Sequence, residues 1–196
     1  MKKDHIENMD RGYMRSSAIK ARNALTEEER IERSARICRK VFELPEYHKA
    51  KTVMLYKWTR GEVKLDELEE GGAFHDGHKT LLYPLCMDDG IMVAIRPGGG
   101  EDSWALGAFG ITEPVREKGE VIQPEKIDLI ICPVAGFDEK LNRLGMGSGY
   151  YDRFLPLCTK AAKIGVAFEV QRLDAIPAEP HDIKMDMVIT ETHVFD

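Results

Sequence analysis

Ile127-Asp128-Leu129-Ile130-Ile131-Cys132 is apolar at every position but Asp128. A strand with one wet face alternates apolar and polar residues, whereas a strand covered on both faces does not. The stretch therefore reads as a β-strand held between two layers. Outward from it, Lys163-Ile-Gly-Val-Ala-Phe168 repeats the pattern. Thr52–Tyr56, Lys79–Tyr83 (stopped by Pro84), Ile91–Ile95 and Met187–Thr190 read as further strands. Helical segments lie between them. One runs from about residue 11 to 24. A second is opened by the capping box Thr26-Glu27-Glu28-Glu29, carries Ile31, Ala35, Ile37, Cys38, Val41 and Phe42, and is stopped by Pro45. Others cover Leu65–Glu70 and the residues after Tyr150. Alternating strands and helices predict an α/β fold of three layers, Rossmann-like, around a mostly parallel sheet. Ligands in such folds sit beyond the carboxyl ends of the strands. Pro133–Gly149 leaves the central strand at that end.

Within that segment lies Arg143-Leu144-Gly145-Met146-Gly147-Ser148-Gly149-Tyr150-Tyr151-Asp152-Arg153. Glycine lets main-chain N–H groups approach a ligand closely. A glycine-rich turn feeding a helix N-terminus suits phosphate. A bare Gly-x-Gly-x-Gly is more often a surface turn. Arg143 and Arg153 add charge, and Asp152 suits a metal that bridges phosphates, which together favour an anion-binding loop. The loop is no dinucleotide fingerprint, because about a dozen residues separate it from the strand. It is no Walker loop either, because no Gly-Lys-Ser/Thr follows.

The 196 residues suit one domain, with about the first ten expected to be disordered. The composition, 43% hydrophobic and 32% charged, is that of an ordinary soluble protein. The polar start Met1-Lys2-Lys3-Asp4 and the lack of a long apolar run argue against a signal peptide or membrane span. Cys38, Cys86, Cys132 and Cys158 form no Cys-x-x-Cys pair and read as reduced core thiols of a cytoplasmic protein. Residues 1–60 carry 15 Lys and Arg against 9 Asp and Glu, and the rest carry 13 against 25. Interspersed acids in the basic part make it a solvated helix face rather than a nucleic-acid stripe.

Other candidates are weaker. His75 and His78 have a spacing common in loops, so a metal pair there is the minority reading. Asp182, in Pro180-His181-Asp182, is a turn residue or a partner of Asp152 on a hard cation such as Mg²⁺. Glu62, just past a strand, is a solvated carboxylate or an acceptor for an N–H-rich heterocycle. Arg11 and Arg15 share a helix face, where they clamp a polyanion or face water. No Ser-His-Asp or Cys-His arrangement is present, and Cys86 reads as core.

The chain resembles the 5-formyltetrahydrofolate cyclo-ligase (methenyltetrahydrofolate synthetase) family from about Arg11 to Glu191. The resemblance is carried by Arg143–Arg153 and, around it, by Glu62-Val63, Phe109-Gly-Ile-Thr-Glu-Pro114, Gly136-Phe-Asp138, Gln171, Ile176-Pro177 and His181-Asp182. It implies a fold like that of sugar-phosphate isomerases and CoA transferases. It also implies ATP- and Mg²⁺-dependent cyclisation of 5-formyltetrahydrofolate by a cytoplasmic enzyme. The partners are then a reduced folate and ATP, with no nucleic acid or membrane, and the enzyme is a monomer. Arg11, Arg15, Arg143, Leu144, Gly145, Met146, Gly147, Ser148, Gly149, Tyr150 and Tyr151 match the nucleotide-binding positions. Lys57, Glu62 and Met146–Tyr150 match the folate-contacting ones. Asp152 and Asp182 match the magnesium ligands, and Arg143, Tyr151 and Asp152 the catalytic group. Leu141 stands where glycine is usual, and Leu85 where a basic residue is usual. The alternatives are a sugar-phosphate isomerase-like enzyme without ATP hydrolysis and a non-catalytic nucleotide-binding module.

Overall fold

A computed structural model describes residues 10–59, 61–71, 79–107 and 110–196. The first nine residues, the His75/His78 pair and Phe109 lie outside them. Eight strands form one sheet, in the order β12-β11-β10-β7-β1-β2-β3-β6. The strands are β1 (Thr52–Met54), β2 (Thr80–Cys86), β3 (Met92–Pro97), β6 (Gly119–Ile122), β7 (Leu129–Pro133), β10 (Ala162–Val166), β11 (Met187–Ile189) and β12 (Val194–Phe195). From β11 to β2 the neighbours are parallel. β12, β3 and β6 join antiparallel. The sheet is mixed but parallel at its centre, as the apolar run in β7 requires.

β7 is buried at Leu129, Ile130, Ile131 and Cys132, and its side chains divide by the period of two. Leu129 and Ile131 join Val53, Leu55, Ile164 and Val166 in one core. Helix α2 (Glu27–Phe42) covers it with Ile37, Cys38 and Val41, beside α3 (Pro45–Lys49) and α4 (Asp66–Glu70). Ile130 and Cys132 join Met54, Leu82 and Val188 in a second core on the opposite face. Phe154 of α5 (Tyr150–Phe154) caps that one. Burying one Leu or Ile side chain contributes roughly 1.5–3 kcal/mol, so a polar residue in β7 would disrupt the layer on the face it points to.

Helix α1 (Arg11–Asn23) lies apart from both layers. Its N-cap is Asp10, which accepts from the Gly12 N–H. Met14 is buried with Leu144 and Ile176, which pins α1 against the loops beyond the strands' carboxyl ends.

Several expectations need correction. Pro45 opens α3 as its first residue, where its missing N–H is no loss. β2 runs through Pro84 to Cys86, because pairing with β1 has ended at Leu82 and the strand has a free edge there. Cys86 is not core: it is half-buried on a cavity wall. Two hairpins were not expected at all, β4 (Trp104–Leu106) with β5 (Thr112–Pro114) and β8 (Gly136–Phe137) with β9 (Arg143–Leu144). Leu141 in the second hairpin has φ 65°, which accounts for the usual glycine at that position.

Candidate active site

β1 pairs β2 on one side and β7 on the other, so the chain's direction of winding reverses there. Crevices form beyond the strand ends at such a point. A cavity of about 100 Å³ occupies it, lined by Tyr56 and Lys57 after β1, Pro133 at the end of β7 and Tyr151 from α5. β2 contributes Tyr83 and Cys86, and the β4–β5 hairpin contributes Ile111, Thr112 and Glu113. A wider recess of about 300 Å³ adjoins it, between Lys57–Thr59 and Gly110–Thr112.

The glycine loop runs beside this cavity, and each of its glycines backs onto an arginine. A Cβ at Gly145 would lie 3.5 Å from Arg143 Nη1, and one at Gly147 3.7 Å from Arg15 Cζ. One at Gly149 would collide with Arg153 Nη1 at 2.7 Å. Gly147 and Gly149 also hold φ of 103° and 68°, which side chains avoid. Arg15 donates from Nε to the Gly145 carbonyl (2.7 Å). Arg153 ties the loop to the β2–β3 turn, bonding Ser148 O from Nη2 (2.8 Å) and Gly90 O from Nε (2.9 Å). It is a strap for the loop rather than a free charge.

Arg143 has a side chain only 1% exposed and donates to Asp152 Oδ1 at 2.6 Å. Its Nε is buried with no acceptor among the described residues. A buried N–H without a partner is costly, and this one lies where β9 runs into the glycine loop. Arg11 is bidentate to Asp182 (2.5 and 2.9 Å) and also donates to Pro177 O (2.6 Å). The Asp182 hydrogen bond, followed by the charges of Asp182, Glu179 and Asp152, raises the Arg11 pKa against the effect of burial. Arg11, Arg15, Arg143, Asp152 and Asp182 thus converge from positions far apart in sequence. Both carboxylates proposed for a cation engage arginines, Asp152 on one oxygen. Buried Asp138 anchors this corner by accepting from Asn142 and from the Ile176 N–H.

Lys57 points between the Tyr83 and Trp104 rings, 4.9 and 4.6 Å from their centroids, and pairs with both oxygens of Glu69 (2.8 and 2.7 Å). Glu62 closes a turn, accepting from Thr59 N–H on Oε2 (3.0 Å), while its other oxygen accepts nothing from the described residues. Burial pushes the Glu62 carboxyl up, against the Thr59 N–H and the Arg22 charge, and its charge reaches the hydroxyls of Tyr56 and Tyr151. Met146 is 62% exposed on the loop. Burial pushes the thiols of Cys38 and Cys132 to about 12 and that of Cys86 to about 11. None is a thiolate nucleophile near neutral pH.

Sequence assigns no functional role to Glu69, Tyr83, Trp104 and Glu113, and reads Cys86 as core. Glu113 lies within the Phe109–Pro114 landmark without being marked in it. Tyr83, Cys86, Trp104 and Glu113 reach the site on paired strands and Glu69 on α4, by tertiary packing rather than by spacing.

Residues 7–191 match the model of the "5-formyltetrahydrofolate cyclo-ligase family". The chain belongs to that family. It is similar to 5,10-methenyltetrahydrofolate synthetase of Aquifex aeolicus, with 35% identity, a TM-score of 0.82, and coverage of 95% of this chain and 92% of that one. A synthetase of the same description from Mycoplasma pneumoniae superposes with a TM-score of 0.75 at 28% identity, over 93% and 99% of the two chains. The 5-formyltetrahydrofolate cyclo-ligase of Mus musculus is 28% identical over 95% of both chains. The chain is accordingly an enzyme of the cyclo-ligase family, and its large mixed sheet is shared with the solved members. Among the described residues no helix is long and apolar enough to cross a membrane.

Proposed function

We propose that the chain closes 5-formyltetrahydrofolate to 5,10-methenyltetrahydrofolate, consuming ATP in the presence of Mg²⁺ and releasing ADP and phosphate. The observation that carries this reading is the meeting of three guanidiniums, Arg11, Arg15 and Arg143, at a glycine loop beside an aromatic cavity. Phosphoryl transfer asks a protein for positioning and charge stabilisation, and this constellation offers both. The unpaired Arg143 Nε, and the Arg143 and Arg15 guanidiniums that lie behind Gly145 and Gly147, suit a phosphate chain. Asp152 and Asp182 have the hard oxygen donors that suit Mg²⁺, once they exchange an arginine contact for the ion. Bound there, Mg²⁺ would neutralise charge on the phosphates.

In this reading the N5-formyl oxygen attacks the γ-phosphorus and ADP leaves. N10 then attacks the activated formyl carbon. Its proton is lost to solvent, and the carbon–oxygen bond to phosphate breaks. Arg143, Arg11 and Arg15 hold the phosphates, with Leu144–Tyr151 as their backbone wall. Tyr151, Tyr56 and Tyr83 exclude water from the cavity. Burial keeps the Tyr56 and Tyr151 hydroxyls protonated, so neither acts as a base, and Tyr56 donates its hydrogen bond to the Val63 carbonyl. Glu62 receives N–H groups of the reduced pterin on its free oxygen, and Lys57 stands at the mouth shared by the cavity and the recess.

The test is direct. The purified protein is mixed with 5-formyltetrahydrofolate, ATP and Mg²⁺, and the methenyl chromophore is followed. Product should appear only when all three are present. No product, or product without ATP, would refute the reading.

A further inference from the structure

Glu113 has no role in the mechanism above, yet it is the only carboxylate among the residues that line the cavity. It sits in β5 opposite Ala105 of β4 and is half-buried. It forms no ion pair among the described residues. Lys57, the one cation on the same wall, is committed to Glu69 through both of that residue's oxygens. The Glu113 carboxylate is met instead by the backbone N–H and thiol of Cys86. An acid placed against aromatic and apolar surface without a cation is costly unless a partner arrives. Burial pushes its pKa up, and the Cys86 contacts only partly offset this.

The hairpin also keeps space for this group. A Cβ at Gly107 would collide with Glu113 Oε2 and crowd the rest of the carboxylate. Gly107 needs no positive φ, so the turn itself does not demand glycine there. The missing side chain is explained by the carboxylate lying across it. The cavity thus has aromatic walls from Tyr56, Tyr83 and Tyr151 and one carboxylate. That combination suits a flat heterocycle bearing several N–H donors.

Resting on the reading that the cavity takes a reduced folate, we propose that Glu113 is a second substrate-binding carboxylate. It accepts hydrogen bonds from N–H groups of the pterin ring, from the hairpin side, while Glu62 serves the side beyond β1. The assignment predicts a residue that governs folate affinity and leaves the nucleotide untouched.

The experiment uses the full chain and calorimetric titration with 5-formyltetrahydrofolate and, separately, with MgATP. Two variants are compared with wild type, Glu113→Gln and Gly107→Ala. The second keeps the carboxylate but pushes it out of its seat. Both should lose folate affinity by about tenfold, as expected when a charge-assisted bond is removed or misplaced. MgATP affinity should stay within twofold in both. A purely structural role for Glu113 would lower both affinities together, and that result overturns the assignment. So does unchanged folate affinity in Glu113→Gln, or in Gly107→Ala should the Gln variant not fold. A wild type that binds MgATP but no reduced folate would overturn the functional reading itself, and this inference with it.

Discussion

Arg143 and Asp152 stand at the two ends of the glycine loop and close it, Nη2 to Oδ1, at 2.6 Å. The loop between them is therefore a ring fastened by a part-buried ion pair rather than a free surface turn. One end is fixed by β9 and the other by α5. An ion pair whose arginine is buried is a weak source of net stability but a constraint on geometry.

Asp152→Asn keeps an acceptor for Arg143 and removes the charge. We expect a folded protein whose turnover falls at least tenfold, most severely at limiting Mg²⁺. Circular dichroism checks the fold, and initial rates across a Mg²⁺ series check the role. A wild-type rate at low Mg²⁺ would remove Asp152 from the cation site.

Arg143→Ala should weaken ATP more than folate. The loss of a charge-assisted phosphate contact costs about 1.5–3 kcal/mol. Separate titrations of the two ligands measure it. An equal loss for both would mean that Arg143 acts only by holding the loop.

Glu62→Gln keeps the size of the side chain and its bond to Thr59, but turns one end of the group into a donor. If the free oxygen meets pterin N–H groups, folate affinity should drop roughly ten- to a hundredfold, at about 1.4 kcal/mol per decade. ATP affinity should not follow. Binding isotherms that show no change for folate would return Glu62 to the role of a turn-closing residue.

Acid should loosen the clasp between α1 and the 177–182 loop. Burial alone raises the Asp182 carboxyl, but the Arg11 hydrogen bonds, the Glu179 N–H and the Arg11 and His181 charges outweigh it and hold it below its ordinary value. A depressed folded-state pKa contributes stability above the unfolded value, near 3.9, that is lost as pH falls through the folded one. Wild type should exceed Asp182→Asn by about 1 kcal/mol at pH 7, the scale of a partly exposed pair. The gap should shrink as pH falls below the unfolded value and through the lower folded-state one. Urea unfolding of both proteins at a series of pH values measures it. A gap that stays constant with pH would show that ionisation of Asp182 does not hold the clasp.

Sequence alone determined what depends on neighbours along the chain. The apolar run of β7 required cover on both faces, and the interleaved helices supplied it, so the layered α/β architecture followed. Thr26 and Glu29 form the capping box their spacing predicts. The glycine loop was legible because its glycines, arginines and acid are contiguous. What only the tertiary structure decided is which distant groups meet. Arg11 reaches Asp182 across 171 positions. Glu69 captures Lys57, Arg153 turns from ligand-facing charge to loop strap, and Glu113 enters the cavity on a hairpin that no periodicity announced. The physical reason is one of range. Periodicity and capping report contacts a few residues apart, whereas the site is assembled by sheet pairing and by α1 packing over the strand ends, where register and burial, not spacing, choose the partners.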